Sequence, residues 1–329
     1  MLRQRFALRK GRAPGPDREK GDGNAALRKD RQQPAIMPKP VNDSAGVWLR
    51  QAAARLAAAG VDQPQRQARL LLARHSGLPA ERLMAFPETP VADEPGFRML
   101  LERRAAGEPL SRILGLREFY GLPFLISPAV LDPRADSETL VDAALTLWPN
   151  RHTPLKIADF GTGSGCLLQA LLSVYPAARG WGIDRSATAL AVARHNAAAL
   201  GLTGRCRFAR LDWADAARNA ARLPWRAPFD LLAANPPYIS HAGLRALPPE
   251  VAGHDPAMAL DGGVDGLTAY RRLLPAARLA LRRGGWLLLE LGAGQAPQVH
   301  RLLRQAGFGP PRRFRDLAGR ARVLAARRV

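Results

Sequence analysis

Leu155-Lys-Ile-Ala-Asp-Phe-Gly-Thr-Gly-Ser-Gly165, followed by Leu167 and Leu168, decides how the rest of the chain is read. An apolar run enters a turn with glycine at 161, 163 and 165, and the turn opens a helical stretch. Glycine at such positions lets the backbone turn tightly and approach a ligand closely. The spacing is G-x-G-x-G, not the G-x-G-x-x-G of dinucleotide sites, which points away from a pyrophosphate and toward a nucleoside ligand without phosphates. Further apolar runs follow at 180–184, 206–212, 229–233 and 286–290, mostly with helical stretches between them. This alternation predicts an α/β fold with an open parallel sheet and helices on both faces. Ligands in such sheets sit at the carboxyl ends of the strands, where strand order reverses.

Upstream the rhythm is helical. Trp48, Leu49, Ala52, Ala53 and Leu56 recur at i, i+3/i+4, with Gly60 as a stop; Ala68, Leu71, Leu72 and His75 continue after Pro64, and Phe97, Leu100, Leu101 and Arg104 mark a third helix. The expected organisation is a helical domain over 41–110 and an α/β domain over 111–329. Residues 1–40 are rich in Arg, Lys, Gln, Gly and Pro without apolar periodicity, and are expected to be a disordered basic extension. They lack the apolar core of a secretory signal. A mitochondrial presequence would suit the first ten residues, but Asp17, Glu19, Asp22 and Asp30 count against it, and translation from Met37 is an open alternative.

The 329 residues carry 49 Lys and Arg against 28 Asp and Glu, a net charge of +21. Only five of the basic residues are Lys, an Arg bias that fits G+C-rich coding as well as a basic surface. Residues 1–40 hold eleven basic and four acidic side chains, a net +7, which leaves +14 spread over the remainder. Charge alone therefore permits a nucleic-acid partner without requiring one. Two cysteines, Cys166 and Cys206, make no disulfide framework and fit a reducing compartment. No apolar run approaches the roughly 18 residues of a membrane span. The expectation is a soluble cytoplasmic protein.

Three further motifs fall at strand ends. Asp184 closes the run 25 residues after Asp159, where a carboxylate can accept hydrogen bonds from ribose hydroxyls. The alternative is a cap on the following helix, a role that Ser186 fills equally well. Asp212-Trp213 ends the next run, where an acid and a planar ring could flank an adenine, although a lone Trp is more often core. Asn235-Pro-Pro-Tyr238 follows the run ending at Ala234. Its prolines cannot donate hydrogen bonds and hold the backbone rigid, leaving the Asn235 side chain and the Pro236 carbonyl as fixed acceptors. Together these accept both N–H groups of a planar amide or amine, with Tyr238 beside the same plane.

On these motifs the chain resembles the S-adenosylmethionine-dependent methyltransferases of planar amino groups, and among them the release factor glutamine methyltransferases. Gly107-Glu-Pro-Leu110, Arg117-Glu-Phe-Tyr120, the run from Leu260 to Leu267 and the helical N-terminal region are similar to that family too, so the likeness covers about 44–329. The resemblance implies a Rossmann-like, seven-stranded class I methyltransferase sheet beside a small helical domain that docks the release factor. It implies that Gly161, Thr162, Gly163, Ser164 and Gly165 cradle the methionine part of S-adenosyl-L-methionine. Asp184 would hold the ribose and Trp213 the adenine end, while Asn235, Pro236, Pro237 and Tyr238 would hold the glutamine of a Gly-Gly-Gln loop. Asn235 and Pro236 are the expected catalytic groups, and Asn235 also borders the cofactor. Two segments depart from the family pattern. Leu131-Asp-Pro-Arg-Ala-Asp-Ser-Glu138 differs at Asp132, Ala135 and Ser137 from the usual Ile-Pro-Arg-Pro-Asp/Glu-Thr-Glu, and Asp255 stands where the family usually has Glu.

Rival readings use overlapping chemistry. Methylation of exocyclic amino groups in nucleic acid would follow the same Asn-Pro-Pro-aromatic logic, but would usually also need base extrusion and a recognition module. A ribosomal-protein glutamine is a second possible target. A cofactor-binding scaffold would keep the glycine turn without needing Asn235. The six histidines show no metal-ligand spacing, and no metal is expected. Cys166 opens an apolar helix and is expected to be a core thiol. A monomer that does not require nucleic acid is the expectation.

Overall fold

The computed structural model describes residues 44–329 except 93, 214 and 216–227; the extension expected over 1–40 lies outside the described residues. Helices α1 (Ala45–Ala58), α2 (Pro64–Ser76), α3 (Ala80–Ala85), α4 (Glu94–Ala105) and α5 (Leu110–Leu114) come first. Pro64 at the first turn and Gly77 in the left-handed region after the last (φ 71°) delimit α2, as their backbone preferences require. The apolar positions singled out above converge: Trp48, Ala52, Leu56, Leu71, Leu72 and Phe97 share one buried cluster with Ile113. The sequence rhythm missed α3 and α5, both of which are too short for a periodic pattern.

A two-stranded antiparallel hairpin follows, β1 (Leu116–Phe119) and β2 (Leu122–Leu125). Its turn holds Tyr120 at φ 51° and Gly121 at φ 71°, two consecutive positive values of the kind that match strand twist in tight hairpins. Tyr120 is held there from both ends, its amide donating to Glu138 Oε1 (2.8 Å) and its hydroxyl to Asp142 Oδ1 (2.9 Å). Both acceptors lie on α6 (Glu138–Leu147).

The main sheet has seven strands: β3 (Lys156–Phe160), β4 (Arg179–Asp184), β5 (Cys206–Arg210), β6 (Phe229–Ala234), β7 (Leu281–Glu290), β8 (Arg312–Arg315) and β9 (Ala321–Arg327). Their order is β5-β4-β3-β6-β7-β9-β8. β3 to β7 pair in parallel, as expected. The seven-stranded sheet is as expected, and at one edge it turns antiparallel, β9 running against β7 and β8 against β9. The central strands read as continuous apolar runs because both faces are covered. Ala158, Phe160, Leu232, Ala234, Leu287 and Leu289 pack on one face against α12 (Thr268–Ala280) and α13 (Ala296–Gln305). The alternate residues Ile157, Leu231, Ala233 and Leu288 pack on the other, against α6 and α7 (Cys166–Val174). β4 leads away from β3 on one side and β6 lies on the other, so strand order reverses between β3 and β6. The glycine turn and the Asn235 loop leave those two strands, and a cleft opens above them. Short helices α9 (His241–Arg245), α10 (Pro249–Ala252) and α11 (Ala257–Leu260) carry the chain from the loop to α12. α8 (Ala187–Ala199) connects β4 to β5.

Candidate active site

The cleft is built first from the turn after β3. Gly161, Gly163 and Gly165 all have positive φ, at 79°, 53° and 80°. The amides of Gly161 and Thr162 both donate to the Ile183 carbonyl (2.8 and 3.0 Å), which ties the turn to the end of β4. Thr162 Oγ1 donates to Asp159 Oδ2 (2.7 Å) and the Gly163 amide to Asp184 Oδ2 (3.0 Å), so two carboxylates brace one loop. A Cβ at Gly161 would lie 3.1 Å from the Trp213 ring, which is why the backbone there can pass flat beneath an aromatic. Gly161, Thr162, Gly163, Ser164, Asp184, Trp213 and Asn235 all line the cleft. Gly165 faces elsewhere: a Cβ on it would sit 2.3 Å from Gln169 Nε2 and 3.1 Å from Ala193 Cβ, so it serves the close packing of α7 on α8.

The capping role considered for Asp184 falls to Ser186. Ser186 Oγ accepts the Ala189 amide (3.1 Å) and is the N-cap of α8. Asp184 Oδ1 accepts the Ser186 amide (2.9 Å) while its other oxygen holds the glycine turn. β5 stops at Arg210, so Asp212 and Trp213 stand in the segment after the strand.

Across the cleft, Asn235 Nδ2 donates to Ser137 Oγ (3.1 Å). Among the described residues no hydrogen bond is made to Asn235 Oδ1 or to the Pro236 carbonyl. Pro237 lines the cleft beside Asn235 and Pro236 is buried. Tyr238 turns its hydroxyl away from the cleft to Glu290 Oε1 (3.3 Å), and burial beside that carboxyl raises its pKa. Gln295 Nε2 holds the Tyr238 carbonyl (2.9 Å), and the Tyr270 hydroxyl donates to the Glu290 carbonyl (2.8 Å), so the loop is anchored on its rear side.

Two buried carboxyls were not anticipated as site groups. Asp159, 1% exposed, lines the cleft; burial pushes it up to about 7, against the Thr162 hydroxyl, which pulls it down. Glu290, wholly buried, is also pushed up to about 7 by burial, opposed by Ser137, Arg322 and Tyr238. The sequence held one signal for the second: a carboxylate ends the run Trp286-Leu-Leu-Leu-Glu290. Cys166 also borders the cleft, but burial pushes its thiol up to about 12, so it stays protonated and unreactive near neutrality. No group of three or more His, Cys, Asp or Glu side chains placed to hold a metal occurs among the described residues.

The two departures from the family pattern meet in space. Asp132 is buried and accepts from Ser111 Oγ (2.5 Å). Its amide donates to Asp255 Oδ1 (3.0 Å), and Arg134 Nη2 donates to Asp255 Oδ2 (2.5 Å). Arg112 of α5 completes the cluster with a buried ion pair to Asp255 and bonds to the carbonyls of Ser127 (2.5 Å) and Val130 (2.8 Å). The cleft wall is thus fastened to the helical region through one buried carboxylate.

A glycine turn, an acidic strand end and the loop that begins at Asn235 thus meet at one cleft. The family described as PrmC N-terminal domain matches residues 47–115, and that described as Methyltransferase domain matches 152–261. A release factor glutamine methyltransferase of Bradyrhizobium diazoefficiens is 44% identical over 284 residues, covering 84% of this chain and 92% of that protein. One from Rhodospirillum rubrum is 44% identical over 285 residues, 86% of this chain and 85% of its own. One from Moorella thermoacetica is 42% identical over 286 residues, 85% of this chain and 97% of its own. With this identity spread across both the helical region and the sheet, the chain belongs to the release factor glutamine methyltransferases.

Proposed function

We propose that the chain methylates the side-chain amide nitrogen, N5, of the glutamine in the Gly-Gly-Gln motif of peptide chain release factors, with S-adenosyl-L-methionine as the donor. The observation that carries this reading is the 235–238 loop. It stands one strand from the glycine turn, with Asn235 held by Ser137 and two acceptors left open. The donor fits the cleft residues: a flat glycine turn under Trp213, a strand-end carboxylate at Asp184, and a buried carboxyl at Asp159 to face a cation. On this reading 161–164 form the methionine cradle, with Gly165 behind it in the packing of α7 on α8, Asp184 takes the ribose, Trp213 the adenine end, and Asn235 to Tyr238 the glutamine. Residues 41–110 dock the release factor and 111–329 carry the transfer, in a cytoplasmic monomer that does not require nucleic acid. No helix among the described residues is long and apolar enough to cross a membrane.

When bound, S-adenosyl-L-methionine supplies an electrophilic methyl group on a sulfonium. The chain's part is alignment, because an amide nitrogen is a weak nucleophile whose lone pair is delocalised into its carbonyl. Holding the two reactants in line contributes up to about 7–11 kcal/mol. As the nitrogen takes up the methyl group it becomes positive, and acceptors fixed on its two N–H groups at Asn235 Oδ1 and the Pro236 carbonyl stabilise that charge. One N–H proton is then released to water.

Labelled S-adenosyl-L-methionine, offered together with release factor, tRNA, DNA and ribosomes, is expected to label the release factor alone. A Gln-to-Glu release factor should stay unlabelled; label in nucleic acid or ribosomal protein instead would overturn the reading. Asp159 adds a pH dependence. A cation beside its carboxyl favours the ionised form, so donor binding should release a proton and tighten as pH rises from about 6 to about 8. Calorimetry in buffers of different ionisation enthalpy measures both; affinity independent of pH would remove Asp159 from the donor site.

A further inference from the structure

Behind the Asn235 loop lies a buried polar chain that the transfer itself does not touch. Glu290 is wholly buried at the carboxyl end of β7. Its Oε1 accepts from Tyr238, while Oε2 is buried without a hydrogen bond of ordinary geometry. The Ser137 hydroxyl nevertheless lies close enough to hold the carboxyl's pKa down. Ser137 Oγ in turn accepts from Asn235 Nδ2. A serine has one proton to give and lone pairs to accept with. If its proton goes to Glu290 Oε2, the oxygen is free to take the Asn235 N–H, and the carboxamide is then fixed with Oδ1 on the opposite side. An asparagine carboxamide turned by 180° would present N–H groups to the substrate amide's own N–H groups, which is repulsive.

We propose that Glu290 is a positioning residue for methyl transfer: through Ser137 it fixes which face of the Asn235 carboxamide meets the substrate amide. The inference rests on Asn235 receiving that amide, as proposed above. Glu290 touches neither reactant and acts as an acceptor, so it is not a base for the released proton. Ser137 is one of the positions that differ from the family pattern, where Thr is usual, and both residues carry the hydroxyl the relay needs.

The charged and titratable groups facing Glu290 set when it can accept. Burial favours the neutral acid, and Asp136 adds to that; Arg322 favours the ionised form. Arg322 divides its charge between Asp136 (2.7 Å) and Asp316 (3.2 Å) and cannot hold Glu290 fully ionised by itself. Tyr238 and Tyr270 are held protonated beside it, as is Cys166. A carboxyl that titrates at about 7 therefore passes from donor to acceptor within the working range, and activity should rise with pH through that value.

The test is steady-state kinetics of the full chain with release factor across pH, with donor affinity and thermal unfolding measured alongside. Wild type should show kcat rising through pH about 7. Glu290→Gln, close in shape but placing an amide donor against Ser137, should lose about 10²-fold in kcat with both KM values within a few-fold, and should lose the inflection. Ser137→Ala should lose as much, and Ser137→Thr should restore wild-type kcat. A Glu290→Gln enzyme with wild-type kcat, or with the inflection intact, overturns the proposal, as does a fully active Ser137→Ala. Failure of the parent reading is distinct, since wild type would then not label release factor at any pH.

Discussion

Asn235→Ala is expected to abolish methyl transfer while leaving donor binding within a few-fold of wild type. The substitution removes Oδ1, one of the two acceptors proposed for the substrate amide, and releases Ser137 from its partner. Loss of one preorganised group of this kind costs about 10²–10³ in rate, and misalignment of the remaining reactant multiplies that. In the site proposed above the donor is held mainly from other elements, at the glycine turn, Asp184 and Trp213, so its affinity should survive. Single-turnover transfer of label to release factor, with calorimetry for the donor, separates the two effects. Turnover within about tenfold of wild type would remove Asn235 from the role assigned to it.

Asp255→Ala should be the most destabilising polar truncation near the cleft. The side chains of Arg112 and Asp255 are 5% and 3% exposed, and Asp255 also receives Arg134 and the Asp132 amide. Removing one partner of a buried pair leaves an uncompensated charge and costs about 3–5 kcal/mol. Arg112 keeps two backbone carbonyls, which places the expected loss near the lower bound. Chemical denaturation with an unchanged slope measures it. The pair Arg112→Leu with Asp255→Leu should recover only part of the loss, because it removes the Arg112 charge but leaves the Asp132 amide, Arg134 and the Ser127 and Val130 carbonyls without these partners. A stability within about 0.5 kcal/mol of wild type for Asp255→Ala would refute the cluster's structural weight. The Arg55–Glu102 bridge makes a useful contrast: it too is short, at 2.6 Å, but its side chains are 43% and 51% exposed, and its loss should go nearly unnoticed.

The readability of each element in the sequence follows its surroundings. β3, β6 and the end of β7 were legible because strands covered on both faces leave nearly unbroken apolar runs. β8 was not, since Arg312-Arg-Phe-Arg315 is an edge strand with one half-buried residue between exposed ones. β9, Ala-Arg-Val-Leu-Ala-Ala-Arg, has a composition that suits a helix; it is a strand because Trp286 to Glu290 pair with it. The β1–β2 hairpin hides in its turn, where Tyr120 occupies a position that usually signals itself as Asn or Asp.

The candidate site divides in the same way. By itself the sequence located the glycine turn, the acid one strand later and the Asn-Pro-Pro-Tyr loop, because each is a local motif at a strand end. Tertiary structure alone decided what stands behind them. Ser137 meets Asn235 across 98 positions, Tyr238 meets Glu290 across 52, and Arg112 meets Asp255 across 143. It also directed Gly165 into helix packing and the Tyr238 hydroxyl away from the cleft. Periodicity records whether a residue is buried, a property of its own segment. Which buried groups touch depends on the accumulated geometry of every element between them, and there two carboxyls become a brace for the wall and a support for Asn235.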